Sequence, residues 1–386
     1  MRGFTFLDIP PFAAARHHRH TASMLLALAR DLVAIDSRSS VSNLAVADRV
    51  EAALSGFEIE RLDYTDPAGV AKRVLVAHRG PAGGLAFSGH MDTVPETGWT
   101  EDPWSARVEG GVLRGLGSAD MKGPLAACIE ATKSLPADVP ATLLITTDEE
   151  TTKLGARAIV ARSELVKRAR PKAILVAEPT TMVPVRGHRA NVHFTVTARG
   201  EQAHSSTGRG RNANWALVPF LVEMRRVFEW LRSDPSVQDV AYDPPFSDFN
   251  PVIDNHGTAV NVTVPVATVR IKFRYSARID PMRVVGRVRA AAAEAGLDVD
   301  EAWEGKPPEL PADHPLIALV EQTSGARATT APYGTDASEL SAIAPCFLLG
   351  PGSIEVAHKP GESVPVAALE GAVPVFAKLA ERVAQT

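Results

Sequence analysis

Five short segments of this 386-residue chain concentrate the side chains that bind cations or move protons. They are Ser88-Gly-His-Met-Asp-Thr-Val-Pro95, Gly115-Leu-Gly-Ser-Ala-Asp-Met-Lys-Gly123, Thr147-Asp-Glu-Glu-Thr151, Ala177-Glu-Pro-Thr180 and Ala357-His-Lys-Pro-Gly-Glu362. Together they hold the histidines His90 and His358 and a surplus of carboxylates. His90 ends an apolar run of strand type. Asp92, two residues on, is placed to accept the second ring N–H and so fix the imidazole as metal ligation requires. Asp120, Glu149, Glu150 and Glu178 follow in successive β-α units, and strand ends of an open α/β sheet would deliver them to one cleft.

Bringing these carboxylates together without a cation is costly. Two of them about 5 Å apart at an effective dielectric near 20 repel by roughly 3 kcal/mol, and each further one multiplies the pairs. Two divalent cations resolve the repulsion. With Asp120 bridging, Glu178 and His90 would serve one ion and Glu150 and His358 the other, which brings the site near neutrality. Nitrogen and carboxylate oxygen without thiolate suits zinc in co-catalytic use, with cobalt or manganese as substitutes. Glu149 is then the surplus carboxylate. It would take a proton from an attacking water and return it to the departing amine of an amide. Taken alone, Asp148-Glu149-Glu150 is also what a solvated surface loop carries; the five segments in this order favour the metal site.

Those residues need a scaffold, and the pattern supplies one. Apolar residues recur at helical spacing from Ala22 to Ala34 and from Ala45 to Leu54. Nearly continuous apolar runs at Val74–Ala77, Leu85–Ser88, Leu143–Thr147 and Ile174–Ala177 predict strands buried on both faces. Helices over Gly123–Ser134 and Gly155–Ala169 separate them. From about Arg186 to Gly305 the rhythm changes to a strand (Asn191–Ala198), a helix (Trp215–Leu231), two strands (Ala259–Val264 and Thr268–Tyr275), a helix (Met282–Ala295) and a strand (Leu297–Trp303). The Pro-rich piece Asp243–Pro251 reads as a loop. That β-α-β-β-α-β order predicts a ferredoxin-like sheet. A strand at Cys346–Leu349 and an amphipathic helix at Ala367–Ala384 resume the first pattern. The fold class is therefore α/β: a mostly parallel-sheet metallohydrolase catalytic domain with an inserted ferredoxin-like α+β domain. The expected limits are a tail over 1–21, catalytic parts over 22–185 and 305–386, and the inserted domain over 186–304.

Composition narrows the partners. At 45% hydrophobic and 22% charged, the chain has the make-up of folded domains. A formal charge of −4 gives no basic field for nucleic acid or an anionic membrane surface, and no run is long enough to span a bilayer. No signal peptide is expected, because Arg30 and Asp31 end the short apolar stretch from Met24. Cys128 and Cys346 stand far apart without C-x-x-C spacing, which fits a reducing compartment and a cytoplasmic protein. His17, His18, Arg19 and His20 read as part of a solvated tail, with metal binding the alternative.

The segments SGHMDTVP, GLGSADMKG, TTDEETTKLGAR, AEPT, RGEQAHSS and GPGSIEVAHKPGE resemble those of the acetylornithine deacetylase, succinyl-diaminopimelate desuccinylase, aminoacylase and carboxypeptidase G family of metallohydrolases. The likeness covers nearly the whole chain after the tail. It implies His90, Asp120, Glu150, Glu178 and His358 as metal ligands, Asp92 as the orienter of the histidine and Glu149 as acid/base, in agreement with the reading from the residues. It also implies a lid that pairs two subunits into a homodimer. His204 resembles the family histidine that reaches the partner's active site to polarise the scissile carbonyl, or is an ordinary loop histidine. Asn261 and Arg274 resemble binders of the substrate carboxylate, a task suited to a guanidinium fork; Arg270, Lys272 and Arg274 also share one strand face, as a solvated face would show. Gly334 and Thr335, in Tyr333-Gly-Thr-Asp336, resemble a substrate loop, and Asp336 alternatively caps a helix. The implied substrate is an N-acyl amino acid, with acetylornithine first and arginine biosynthesis as its setting. A dipeptidase or carboxypeptidase is the alternative. Gly361 stands where acetylornithine deacetylases usually carry an acidic residue or asparagine.

Overall fold

The structure, a computed structural model, describes residues 23–386, so the cluster from His17 to His20 lies outside the described residues. Two compact units divide the chain. The first takes the described residues up to Pro184, Asp313–Ala328 and Ala342–Thr386; the second takes Val185–Ala312 and Thr329–Ser341. The first unit opens with α1 (23–33), α2 (Leu44–Ala52), β1 (Glu58–Thr65), β2 (Ala71–Arg79), β3 (Leu85–His90), β4 (Arg107–Glu109) and β5 (Val112–Arg114). It continues with α3 (Lys122–Ser134), β6 (Ala141–Thr146), α4 (Leu154–Arg162), α5 (Glu164–Ala169) and β7 (Ala173–Val176). The second unit supplies β8 (Val185–His188), β9 (Ala190–Arg199), α6 (Asn214–Ser233), β10 (Asp248–Asp254), β11 (Val266–Tyr275), α7 (Met282–Glu294) and β12 (Asp298–Glu304). The chain then adds α8 (Pro315–Ser324) to the first unit, β13 (Thr329–Ala331) and α9 (Ala337–Leu340) to the second, and β14 (Cys346–Leu348), β15 (Ser363–Pro365) and α10 (Val366–Gln385) to the first.

In the first unit the strands run β1-β2-β6-β3-β7-β14. β6, β3, β7 and β14 are mutually parallel, and β2 and β1 extend the sheet antiparallel. β3, β6 and β7 are buried along their whole length, as continuous apolar strands between two helical layers must be. α3 and α10 pack on β3, where the Phe87 and Phe376 rings lie 5.8 Å apart. The helix expected over Gly155–Ala169 is two helices. Ser163 ends the first, and its hydroxyl accepts the Val166 N–H at 3.0 Å to cap the second.

The second unit has the antiparallel order β10-β11-β9-β12, which is the ferredoxin-like arrangement, and α6 and α7 contribute Phe220, Met224, Val227, Val285 and Val288 to a core shared with Phe194, Ile271 and Phe273. One expected strand is corrected. Ala259–Val264 is a loop, with Val260 wholly exposed, and the second strand is β10, drawn from the stretch read as Pro-rich loop. Pro251 is tolerated because β10 is an edge, where a missing N–H interrupts no second ladder. The boundaries also move. Residues 305–312 and Thr329–Ser341 cluster with the second unit because their backbone bonds go there: Leu310 N–H to the Arg186 carbonyl at 2.9 Å, Lys306 N–H to the Ser338 carbonyl at 3.2 Å, and β13 parallel to β8. No helix among the described residues is long and apolar enough to cross a membrane.

Candidate metal centre

All seven residues expected to carry the metal chemistry lie in the first unit. His90 is the last residue of β3, Thr147 to Glu150 leave β6, and Ala177 and Glu178 leave β7. Because these three strands are parallel, their carboxyl ends share one edge, where open α/β sheets place ligands. Asp120 precedes α3 in a turn, and its bond to Met121 is cis. His358 sits in a turn after β14 with a left-handed φ of 60°. Close backbone approach at the β7 exit requires glycine: a Cβ at Gly350 would lie 2.4 Å from the carbonyl oxygens of both Ala177 and Glu178.

His90, Asp120 and Glu150 present ligand atoms all within 4.8 Å of one another. The two oxygens of Asp120 are divided between the imidazoles: Oδ1 lies 3.1 Å from His90 Nε2, and Oδ2 lies 3.2 Å from His358 Nε2. His358 Nε2 is also 3.0 Å from Glu150 Oε1. His90 and Asp120 are buried, whereas the His358 side chain is 48% exposed, so solvent reaches the cluster from that side.

The electrostatics record crowded negative charge. Burial, then the charge of Asp120, pushes Glu150 up to about 8. The same two causes lift Glu178 well above the carboxylate range. Glu149 is raised chiefly by burial, against the pull of Lys153 and His90. Burial also acts on Asp120, but the hydrogen bonds of His358 and His90 outweigh it and hold that carboxyl low. His358 is pushed up to about 11 by Asp120 and Glu150. In His90, burial opposes protonation and the bond to Asp120 overcomes it. Buried carboxylates that lift one another and claim protonated imidazoles are suited to divalent cations, and the donor set of ring nitrogens and carboxylates without thiolate fits such ions.

Asp92 does not orient His90 as expected. The main-chain carbonyl of Asp92 accepts the His90 Nδ1–H at 2.9 Å, while its carboxylate lies 3.6 Å from that nitrogen. The carboxylate instead accepts the backbone N–H of Glu149 at 3.2 Å and of Glu150 at 3.3 Å, and the Ser39 hydroxyl at 2.7 Å. The orienting acceptor is a backbone group because the chain turns directly after β3.

Sequence reasoning missed Glu362 as a participant, although it closes one of the five segments. Its buried carboxylate accepts the N–H groups of Ala119 at 2.9 Å and Asp120 at 3.0 Å, so it holds the Asp120 turn from 242 residues away. Burial and Asp120 push it up to about 7. Lys122 was missed as well. It is fully buried, donates to the Ile35 carbonyl at 2.9 Å, and is brought down to about 8 by burial. Both lie inside the segments singled out from the sequence, but their partners, far along the chain, leave no local pattern.

The candidate substrate residues all fall in the second unit. His204 and Asn261 are exposed neighbours: Ser205 N–H donates to the Asn261 carbonyl at 2.9 Å, and His204 Nδ1 lies 2.8 Å from the Ser206 hydroxyl. Arg274 is ion-paired across the sheet to Asp248 on β10, the behaviour of a solvated strand face. Gly334 is half-buried. Thr335 is buried with its hydroxyl 2.9 Å from His188 Nε2 and accepting the Ala337 N–H at 3.1 Å. Thr335 thus makes the capping bond proposed for Asp336, which occupies the cap position without a side-chain bond to the helix.

The family model of peptidase family M20/M25/M40 matches residues 86–382. The chain is 30% identical over 374 residues to acetylornithine deacetylase of Photorhabdus laumondii, an alignment covering 93% of each. Its fold superposes on the dipeptidase Dug1p of Saccharomyces cerevisiae with a TM-score of 0.75, at 15% identity, covering 97% of this chain and 98% of that one. YXEP of Bacillus subtilis, described as a dinuclear metal-binding peptidase of the M20 family, aligns with a TM-score of 0.63 at 17% identity, covering 95% of this chain and 99% of that one.

Proposed function

The chain belongs to peptidase family M20/M25/M40, a family of hydrolases, and on that premise we propose that it cleaves the amide bond of an N-acyl amino acid, with acetylornithine the first substrate. The observation that carries the reading is the division of the Asp120 carboxylate between His90 and His358. A carboxylate so placed is suited to bridging two divalent ions, with Glu178 and His90 toward one and Glu150 and His358 toward the other. Zinc fits this donor set, with cobalt and manganese as substitutes. When bound, such ions would supply Lewis acidity toward the scissile carbonyl and ease deprotonation of the attacking water.

The remaining chemistry belongs to the chain. Glu149, raised by burial, accepts the proton of the attacking water on its carboxylate and delivers it to the departing nitrogen. Asp92 holds the main chain of Glu149 and Glu150, and Glu362 holds the turn of Asp120. His204 and Asn261, both exposed, meet the substrate's carbonyl and carboxylate. The working form is a homodimer. The test is to incubate the zinc-loaded protein with acetylornithine, other N-acyl amino acids and a dipeptide panel. Release of free amino acid from acetylornithine is expected; cleavage of dipeptides alone would replace this reading with a dipeptidase.

A further inference from the structure

Beneath the Glu149–Glu150 loop lies a buried ion pair that the chemistry above does not use. Lys72 Nζ on β2 is 2.9 Å from Asp148 Oδ1, with the two side chains 0% and 2% exposed. The same Nζ donates to the Ser39 carbonyl at 2.6 Å and the Val41 carbonyl at 3.0 Å. The Tyr64 hydroxyl donates to the other Asp148 oxygen at 2.7 Å. Asp148 itself has a left-handed φ of 62°, and its carbonyl accepts the N–H groups of Thr152 at 3.0 Å and Lys153 at 2.7 Å. Close packing seals the turn, since a Cβ at Gly155 would lie 2.3 Å from the Thr147 carbonyl oxygen.

A buried ion pair adds little net stability compared with an apolar pair of the same size. What it does supply is direction, and here the directions converge. Through Asp148, Lys72 holds the residue next to Glu149. Through the Ser39 carbonyl, it holds the segment whose hydroxyl fixes Asp92, the acceptor of the Glu149 and Glu150 N–H groups. One ammonium therefore ties together both supports of the same carboxylate pair. We propose that Lys72 and Asp148, with Tyr64, are positioning residues that set the placement of Glu149 and Glu150 for amide hydrolysis; the inference rests on the proposed function for its catalytic consequence, but its structural claim stands on this geometry.

Removing one partner alone would leave a buried charge and unfold the loop for trivial reasons, so the test is Lys72→Met/Asp148→Asn in the full-length, metal-loaded protein. Asparagine tolerates the left-handed backbone at 148. The double variant is expected to melt within a few degrees of the wild type. It is expected to lose about 10- to 100-fold in kcat with KM little changed, and about 10- to 100-fold in cobalt affinity by titration, the usual cost of losing an outer support. A folded double variant with wild-type kcat and wild-type cobalt affinity would overturn the proposal. Should the double variant fail to fold, Tyr64→Phe removes a single hydrogen bond and is expected to lower kcat by about 3- to 10-fold without a change in melting temperature; unchanged kcat and cobalt affinity there would overturn it equally. Inactivity of the wild type toward every substrate refutes the proposed function, while the cobalt titration still decides the positioning claim.

Discussion

The carboxyl edge of the first unit's sheet and the 201–205 and 259–263 loops of the second unit both carry residues expected to serve one reaction, yet they are built differently. At the sheet edge, His90 and Asp120 are buried, and behind them Asp92, Glu362 and Lys72 are themselves hydrogen-bonded. In the loops, His204 and Asn261 are exposed and contact mainly one another's segments. On the proposed function the contrast follows from what each would do: charges sharing cations would need fixed placement and a dry backing, whereas groups meeting a substrate would have to be reachable from solvent.

The sharpest way to break this contrast is Asp120→Ala. Because both imidazoles face the one carboxylate, the variant is expected to lose both ions and all measurable turnover, and metal analysis finding two ions retained would contradict a shared ligand. Next in size is Glu149→Gln, which should keep both ions and lose about 10²- to 10⁴-fold in kcat, the usual worth of a general base; full activity would remove Glu149 from that role.

A smaller effect separates the edge from the loops by pH. Glu150, raised from 4.5 to about 8, binds its proton more tightly in the folded state, so between those values its contribution to stability falls as pH rises. His358, raised from 6.5 to about 11, acts in the same sense: its contribution is complete below 6.5 and lost as pH climbs toward 11. The chelator-treated protein should therefore melt at progressively lower temperature from about pH 5 to about pH 9, and added zinc should flatten that slope. A melting temperature independent of pH after chelation would count against the crowded-carboxylate account. The smallest effect is expected at the loops. His204→Ala should change unfolding free energy by less than about 0.5 kcal/mol in urea titrations while lowering kcat, and Arg274→Ala should cost about 0.2–1 kcal/mol for its part-exposed pair with Asp248.

Much of the first unit was legible because its signals are local. Unbroken apolar runs can be covered only by burial on both faces, so β3, β6 and β7 and the segments leaving them could be read directly. β10 was not legible, since Pro251 and its exposed neighbours look like a loop until an edge position is known. The membership of Thr329–Ser341 was not legible because it is set by partners far along the chain, the β8 backbone at Val185, Gly187 and His188 and the N–H of Lys306, which leave no local pattern.

By itself, then, the sequence determined the inventory: which acids and imidazoles stand at strand ends, in what order, and without any thiolate among them. Only the tertiary structure decided which oxygen of Asp120 faces which histidine, that the main-chain carbonyl of Asp92 rather than its carboxylate accepts the His90 Nδ1–H hydrogen bond, and that Glu362 and Lys72 stand behind the site. The physical reason is range. Burial and turn preference are written in neighbouring residues, whereas a hydrogen bond or a shifted carboxylate depends on atoms brought within a few ångströms from far along the chain.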